Sequence, residues 1–166
     1  AAYGLTIVGV LLGVGMSCLG AAVLGYILFY GRISGVFLGI VTLSTTLVFA
    51  TFMAQTAGSQ WAIGDARLGG DNGMTGMPPL TIPWAGGDIA LYSGVPLYYL
   101  LLAKLVVCYL GLRVLVNSRF GNVLVAIREN PHRAEMLGYD IRRYQLIAFV
   151  IGSGLAGLSG VLYTAW

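Results

Sequence analysis

An all-α, polytopic integral membrane protein, with about four transmembrane helices and two short helices in a basic loop, is expected from three observations. The 166-residue chain is 58% hydrophobic and 9% charged, with a mean hydropathy of +0.86, whereas soluble domains carry roughly 25% charged residues. Four apolar runs are separated by polar segments. Five of the nine Lys and Arg residues, Arg119, Arg128, Arg133, Arg142 and Arg143, fall in one loop.

A hydrocarbon core of ~30 Å needs about 20 apolar residues in a helix. The first run, 5–29, supplies them, and its Gly9, Gly13, Ser17, Ala21 and Gly25 recur every four residues, a spacing that lets another helix approach closely. The second, 36–53, is short and reaches a full span as a helix over 33–54. The loop 55–94 is rich in Gly and Pro; Asp71-Asn72-Gly73 and Pro78-Pro79 in it read as tight turns. The third helix is expected over 95–116 and the fourth over 144–166. In the fourth, Gly152, Ala156 and Gly160 repeat the small-residue spacing beside Ser153 and Gly157. Two readings of these stripes stay open: packing within one bundle, or the lining of a path or subunit interface. All these elements are expected to belong to one transmembrane domain over 1–166.

Lys104 sits near the middle of the third run, where a charge costs about 2.5–3.5 kcal/mol on insertion scales, so it should face protein or water. No acidic residue lies in any of the runs. Its partner is therefore expected to be a backbone carbonyl, a tyrosine such as Tyr98, Tyr99 or Tyr109, or a group on another segment. The alternative is a lysine tolerated by snorkelling or lying shallower than the middle of the run.

The loop 117–143 reads as two short helices. Ser118 can N-cap the first, in which Phe120, Val123, Leu124 and Ile127 form an apolar face opposite Arg119, Asn122, Ala126 and Glu129. Pro131 ends it and starts the second, with Asn130 as N-cap and Gly138 as C-terminal cap. Each is shorter than the ~12–15 residues that persist alone in water, so both need a surface. Arg32, Arg113 and the five loop arginines against Arg67 alone put the turn 30–34 and the loop 117–143 in the cytoplasm, and the loop 55–94 outside.

Several classes fall away. Cys18 and Cys108 lie inside apolar runs and act as small packing residues, and no metal-ligand cluster or cofactor motif is present, so neither metal nor cofactor is expected. The +3 net charge is the topology signal; no nucleic-acid partner is expected. The glycines of 69–80 lack Gly-Lys-Ser/Thr and a preceding soluble strand, so they bind no ATP. Gly157-Leu158-Ser159-Gly160 matches the G-x-S-G of intramembrane serine proteases, yet the single histidine, His132, lies in the cytoplasmic loop. An ATP-independent channel or porter would need polar groups facing one another in the membrane, and apart from Lys104 they are absent. With no initiating Met and no signal peptide, the chain is expected to be an internal piece of a longer protein.

The run FGNVLVAIRENPHRAEMLGYDIRRYQLIAFVIGSGLAGLSGVLY, 120–163, resembles the cytoplasmic loop and following helix of permease subunits in branched-chain amino acid ABC importers. GRISGVFLGIVTL, 31–43, and GGDNGMTG, 69–76, are similar to the same family, so the likeness spans most of the chain from Gly31. The resemblance implies a permease of the bacterial plasma (inner) membrane that forms the solute path for hydrophobic amino acids and carries no catalysis of its own. Its implied partners are cytoplasmic ATP-binding subunits, a second permease subunit and an extracytoplasmic solute-binding protein; the outer loop itself reads either as a connector or as a contact for such a protein. Of the loose E-A-A-x3-G signature of ABC importers, only Ala134 and Gly138 match, and the AIREN and RAEMLGYD strings carry the likeness. By resemblance the ATPase-coupling loop centres on Arg128, Glu129, Asn130, Arg133, Ala134, Glu135 and Gly138. A permease for urea or short amides is the nearest alternative within this architecture.

Overall fold

The computed structural model describes residues 2–33, 35–56, 58, 61–63, 66–67, 69–70, 81–84, 87–90 and 95–163. Among the described residues six helices carry the fold, four of them long and apolar enough to cross a membrane. They are α1 (Ala2–Tyr30), α2 (Val36–Gln55), α3 (Val95–Val116), α4 (Arg119–Glu129), α5 (Pro131–Met136) and α6 (Ile141–Tyr163). Between α2 and α3 run two short antiparallel pairs, β1 (Ala62–Ile63) with β2 (Ala66–Arg67), and β3 (Thr81–Trp84) with β4 (Gly87–Ala90). The expected turns at 71–73 and 78–79 lie outside the described residues.

The chain forms two compact units, Ala1–Gly31 with Leu80–Trp166, and Arg32–Pro79. In the second, α2 begins only at Val36, because Gly35 holds φ +64° and interrupts the helix that would otherwise start at Ile33. Every residue of α2 that carries a hydroxyl returns it to the helix itself. Thr42 donates to Leu38 O at 3.0 Å, Ser44 to Ile40 O at 2.8 Å, Thr45 to Val41 O at 2.8 Å, Thr46 to Thr42 O at 2.9 Å and Thr51 to Leu47 O at 2.8 Å. A helix with none of its residues buried can thus present an apolar outer surface despite five hydroxyls.

In the first unit, α1 and α6 run antiparallel along a seam of small residues. A Cβ placed on Gly13 would lie 2.5 Å from Val161 Cγ2, and one on Gly25 would lie 2.7 Å from Leu146 Cδ1. Between them Ser17 and Ser153 exchange hydrogen bonds: Ser17 Oγ donates to Ser153 O at 2.8 Å, and Ser153 Oγ to Ser17 O at 3.0 Å. Ala21, Leu28 and Phe29 are buried on this line, and Phe29 meets the Phe149 ring edge-on at 5.9 Å. Apolar side chains gain little from meeting one another in lipid, so close van der Waals approach and paired hydroxyls have to hold the helices together.

The seam predicts a crosslink. A Cβ at position 154 would sit 3.1 Å from Cys18 Sγ, within reach of a disulfide. Gly154→Cys is expected to oxidise with Cys18, read as a mobility shift on non-reducing gels. Gly157 faces Ser17 Cβ at 2.6 Å from its would-be Cβ, so adding Gly157→Leu is expected to push the helices apart and abolish that crosslink, at a cost of ~1–3 kcal/mol for overpacking.

Candidate functional site

The loop 117–143 is a small folded body. After α3 ends at Val116, Asn117 N and Ser118 N donate back to Arg113 O and Leu115 O at 3.1 and 3.2 Å, and α4 starts one residue later. Ser118 occupies the N-cap position with extended backbone, but its side chain caps nothing in α4. Its hydroxyl donates instead to Leu115 O, the carbonyl at the end of α3 that already accepts from Ser118 N. Gly121, one turn into α4, is buried against the carbonyl of Val116, where no Cβ would fit.

The apolar face of α4 points inward. Val123 and Ile127 are buried with Ala134, 1% exposed, and Ile141 and Tyr144 of α6 pack against this cluster. Phe120 stacks on Tyr144 at 5.4 Å, and Tyr139 meets the same ring edge-on at 5.9 Å. The α4–α5 break follows from Asn130 and Pro131. Asn130 is extended, ends α4, and accepts a hydrogen bond from Arg133 N on its side chain at 3.1 Å, while Pro131 takes the first position of α5.

A paired-carbonyl cap closes α5. Gly138 N donates to Glu135 O at 2.9 Å and Tyr139 N to Ala134 O at 3.2 Å, with Gly138 at φ +86°, the left-handed geometry that glycine adopts without strain. The chain then turns into α6 at Ile141, three residues before the expected start; the Asp140 carbonyl oxygen accepts from Tyr144 N at 3.3 Å, and the Asp140 carboxylate pairs with Arg143 at 2.9 Å.

Of the residues expected to form a docking surface, Ala134 and Gly138 are parts of this frame. Arg128, Glu129, Arg133 and Glu135 are exposed on it. Arg128 and Glu129 neutralise each other through a 2.8 Å contact. Arg133 and Glu135 make no side-chain ion pair among the described residues. Beside them Met136 and Leu137 are each 74% exposed, a feature the sequence reading missed. Its signal was present: Met136 lies about 200° around α5 from Ala134, the position that faces the core.

The path-or-packing residues separate. The α6 stripe of Gly152, Ala156 and Gly160 is exposed and faces away from α1, while Ser153, Gly154 and Gly157 form the seam. Lys104 is half-buried on α3 and makes no hydrogen bond or ion pair among the described residues. Tyr98 and Tyr99, two of the partners expected for it, pack edge-on against each other at 5.6 Å. No group of three His, Cys, Asp or Glu comes together among the described residues to hold a metal.

Comparison with known proteins connects this geometry to a family. The model described as "Branched-chain amino acid transport system / permease component" matches residues 1–166. A probable branched-chain amino acid transport permease protein LivM of Methanocaldococcus jannaschii is 30% identical over 99 residues, 60% of this chain and 27% of the relative. A putative glucose ABC transporter permease protein TsgC13 of Haloferax volcanii is 30% identical over 96 residues, 52% of this chain and 28% of the relative. The chain thus matches little more than a quarter of the length of either relative. No solved structure matches it.

Proposed function

Because the chain belongs, over its whole length, to the branched-chain amino acid transport permease family of ABC transporters, we propose that it is part of a permease subunit that imports hydrophobic amino acids across the plasma (inner) membrane under the control of a separate ATPase. The observation that carries this reading is the loop 117–143. It has its own buried cluster of Val123, Ile127 and Ala134, two capped helices, and an exposed patch of Arg133, Glu135, Met136 and Leu137. A loop that served only as a positive anchor on lipid would need arginines. It would not need acidic residues on the same surface or a frame that fixes α5 so closely.

The excess of arginine supports a cytoplasmic position for this loop, which puts the connector 55–94 outside, where a solute-binding protein would touch it. A second permease subunit would complete the path across the membrane. Cytoplasmic ATP-binding subunits would seat α5, and the chain itself would contribute no ATP hydrolysis. Attachment alone moves nothing: closure of the ATPase shifts the permease between its states only if the ATPase binds those states with different affinity. A rigid α4–α5 unit resting on α3 and α6 is suited to that task, because a displacement of α5 is passed to two membrane helices.

The test is uptake by the complete importer in proteoliposomes. L-leucine is expected to accumulate only with ATP inside and the binding protein outside. The likeness to the putative glucose permease of Haloferax favours a second reading, a neutral sugar as solute. Accumulation of D-glucose or urea in place of leucine would establish the neutral-solute alternatives, and leucine movement without ATP would overturn the importer.

A further inference from the structure

Lys104 has nine residues of α3 on one side of it and twelve on the other, counted from Val95 and to Val116. At 1.5 Å per residue its Cα is about 14 Å and about 18 Å from the two helix ends. Both distances exceed the length of an extended lysine side chain, so snorkelling does not by itself bring the ammonium to water. Every other cation in the four spans, Arg113, Arg142 and Arg143, lies near a helix end.

The surroundings of Lys104 are specific. Leu101, Leu105, Cys108 and Leu112 recur at helical spacing on the face of α3 that carries Lys104, and with Tyr109 of the same helix and Leu155 of α6 they line a groove of about 470 Å³, the size of a small-molecule site. The spans offer no carboxylate to the ammonium, and none of the described residues bonds it. An unpaired ammonium at this depth calls for an anion, and the leucines around it call for an aliphatic group on that anion. An amino acid with an aliphatic side chain carries both. Glucose and urea carry neither.

We propose that Lys104 binds the carboxylate of the solute in a membrane-embedded site whose leucines contact the solute's aliphatic side chain. The inference rests on the amino-acid reading above and deepens it, since it names the group that would select an acid over a neutral solute. Cys108, one turn away in the same groove, is a built-in reporter.

The experiment uses the complete importer in detergent, without the binding protein, with the cysteines other than Cys108 replaced. The rate of Cys108 alkylation by N-ethylmaleimide is followed as L-leucine or L-leucinol is added; leucinol keeps the side chain and the amine but lacks the carboxylate. Leucine is expected to slow labelling and leucinol to leave it unchanged. The leucine concentration for half-protection should rise about 10- to 100-fold in Lys104→Gln and return part-way in Lys104→Arg. Equal protection by leucinol would overturn carboxylate recognition. An importer that takes up leucine while Cys108 labelling ignores it would overturn the site and leave the amino-acid reading standing. An importer that takes up no leucine would remove that reading and the inference together. Loss of the second permease from Lys104→Gln, with assembly kept in Lys104→Arg, would assign the ammonium to an acidic side chain of another membrane segment, which also overturns the proposal.

Discussion

Gly121→Val is expected to dislodge α4 from the end of α3 and, in the complete protein, to abolish ATPase attachment while leaving membrane insertion unchanged. The Cβ it introduces would overlap the carbonyl oxygen of Val116 and lie 2.5 Å from its carbonyl carbon and 2.7 Å from its Cα. These are backbone atoms at the end of a helix, which cannot swing aside as a side chain can. Overpacking costs ~1–3 kcal/mol even where side chains give way, so here α4 has to move. Because α4 carries Val123 and Ile127 into the cluster with Ala134, Ile141 and Tyr144, its movement uncovers the seat of α5. Hydrogen exchange over 119–139 should quicken markedly in the variant, with exchange along α1 and α6 little changed. Wild-type protection of the loop would show that α3 and α4 do not meet as described.

The helices were legible because length and apolar content are enough to place a membrane span, and Asn130, Pro131 and Gly138 mark their turn by backbone chemistry that needs no distant partner. Features that depend on a second element were not. Residues 152–160 read GSGLAGLSG, so small residues occupy almost every position and periodicity cannot choose a face. Only α1, with Ser17 set against Ser153, selects the seam. Ser118 reads as a cap for the helix that follows it, but the Leu115 carbonyl at the end of the preceding helix takes its hydroxyl. Gly121 gives no local sign of its role, because the atom it makes room for belongs to another helix. The exposure of Met136 and Leu137 likewise follows from which side of α5 Ala134 buries.

Arg133→Glu is expected to weaken ATPase attachment by about tenfold or more, because reversing the charge removes an attraction to the partner and sets like charges against each other. The side chain is exposed, and no carboxylate among the described residues holds it, so its charge is free for a partner. By contrast Arg128 and Arg143 are already engaged by Glu129 and Asp140, and their reversal should have smaller effects. The capping contact at this position uses the backbone N–H of Arg133, so the substitution leaves α5 formed and isolates the charge. Raised salt should imitate it in the wild type if the contact lies at a solvated rim.

The most direct measurement is to purify the complete tagged protein from its membrane in mild detergent and identify, by mass spectrometry, the cytoplasmic protein that accompanies it in stoichiometric amount. A docking loop at 117–143 predicts an ATPase with the wild type and its loss with Arg133→Glu at unchanged insertion. A chain that purifies alone and still moves solute across vesicles without ATP would contradict it.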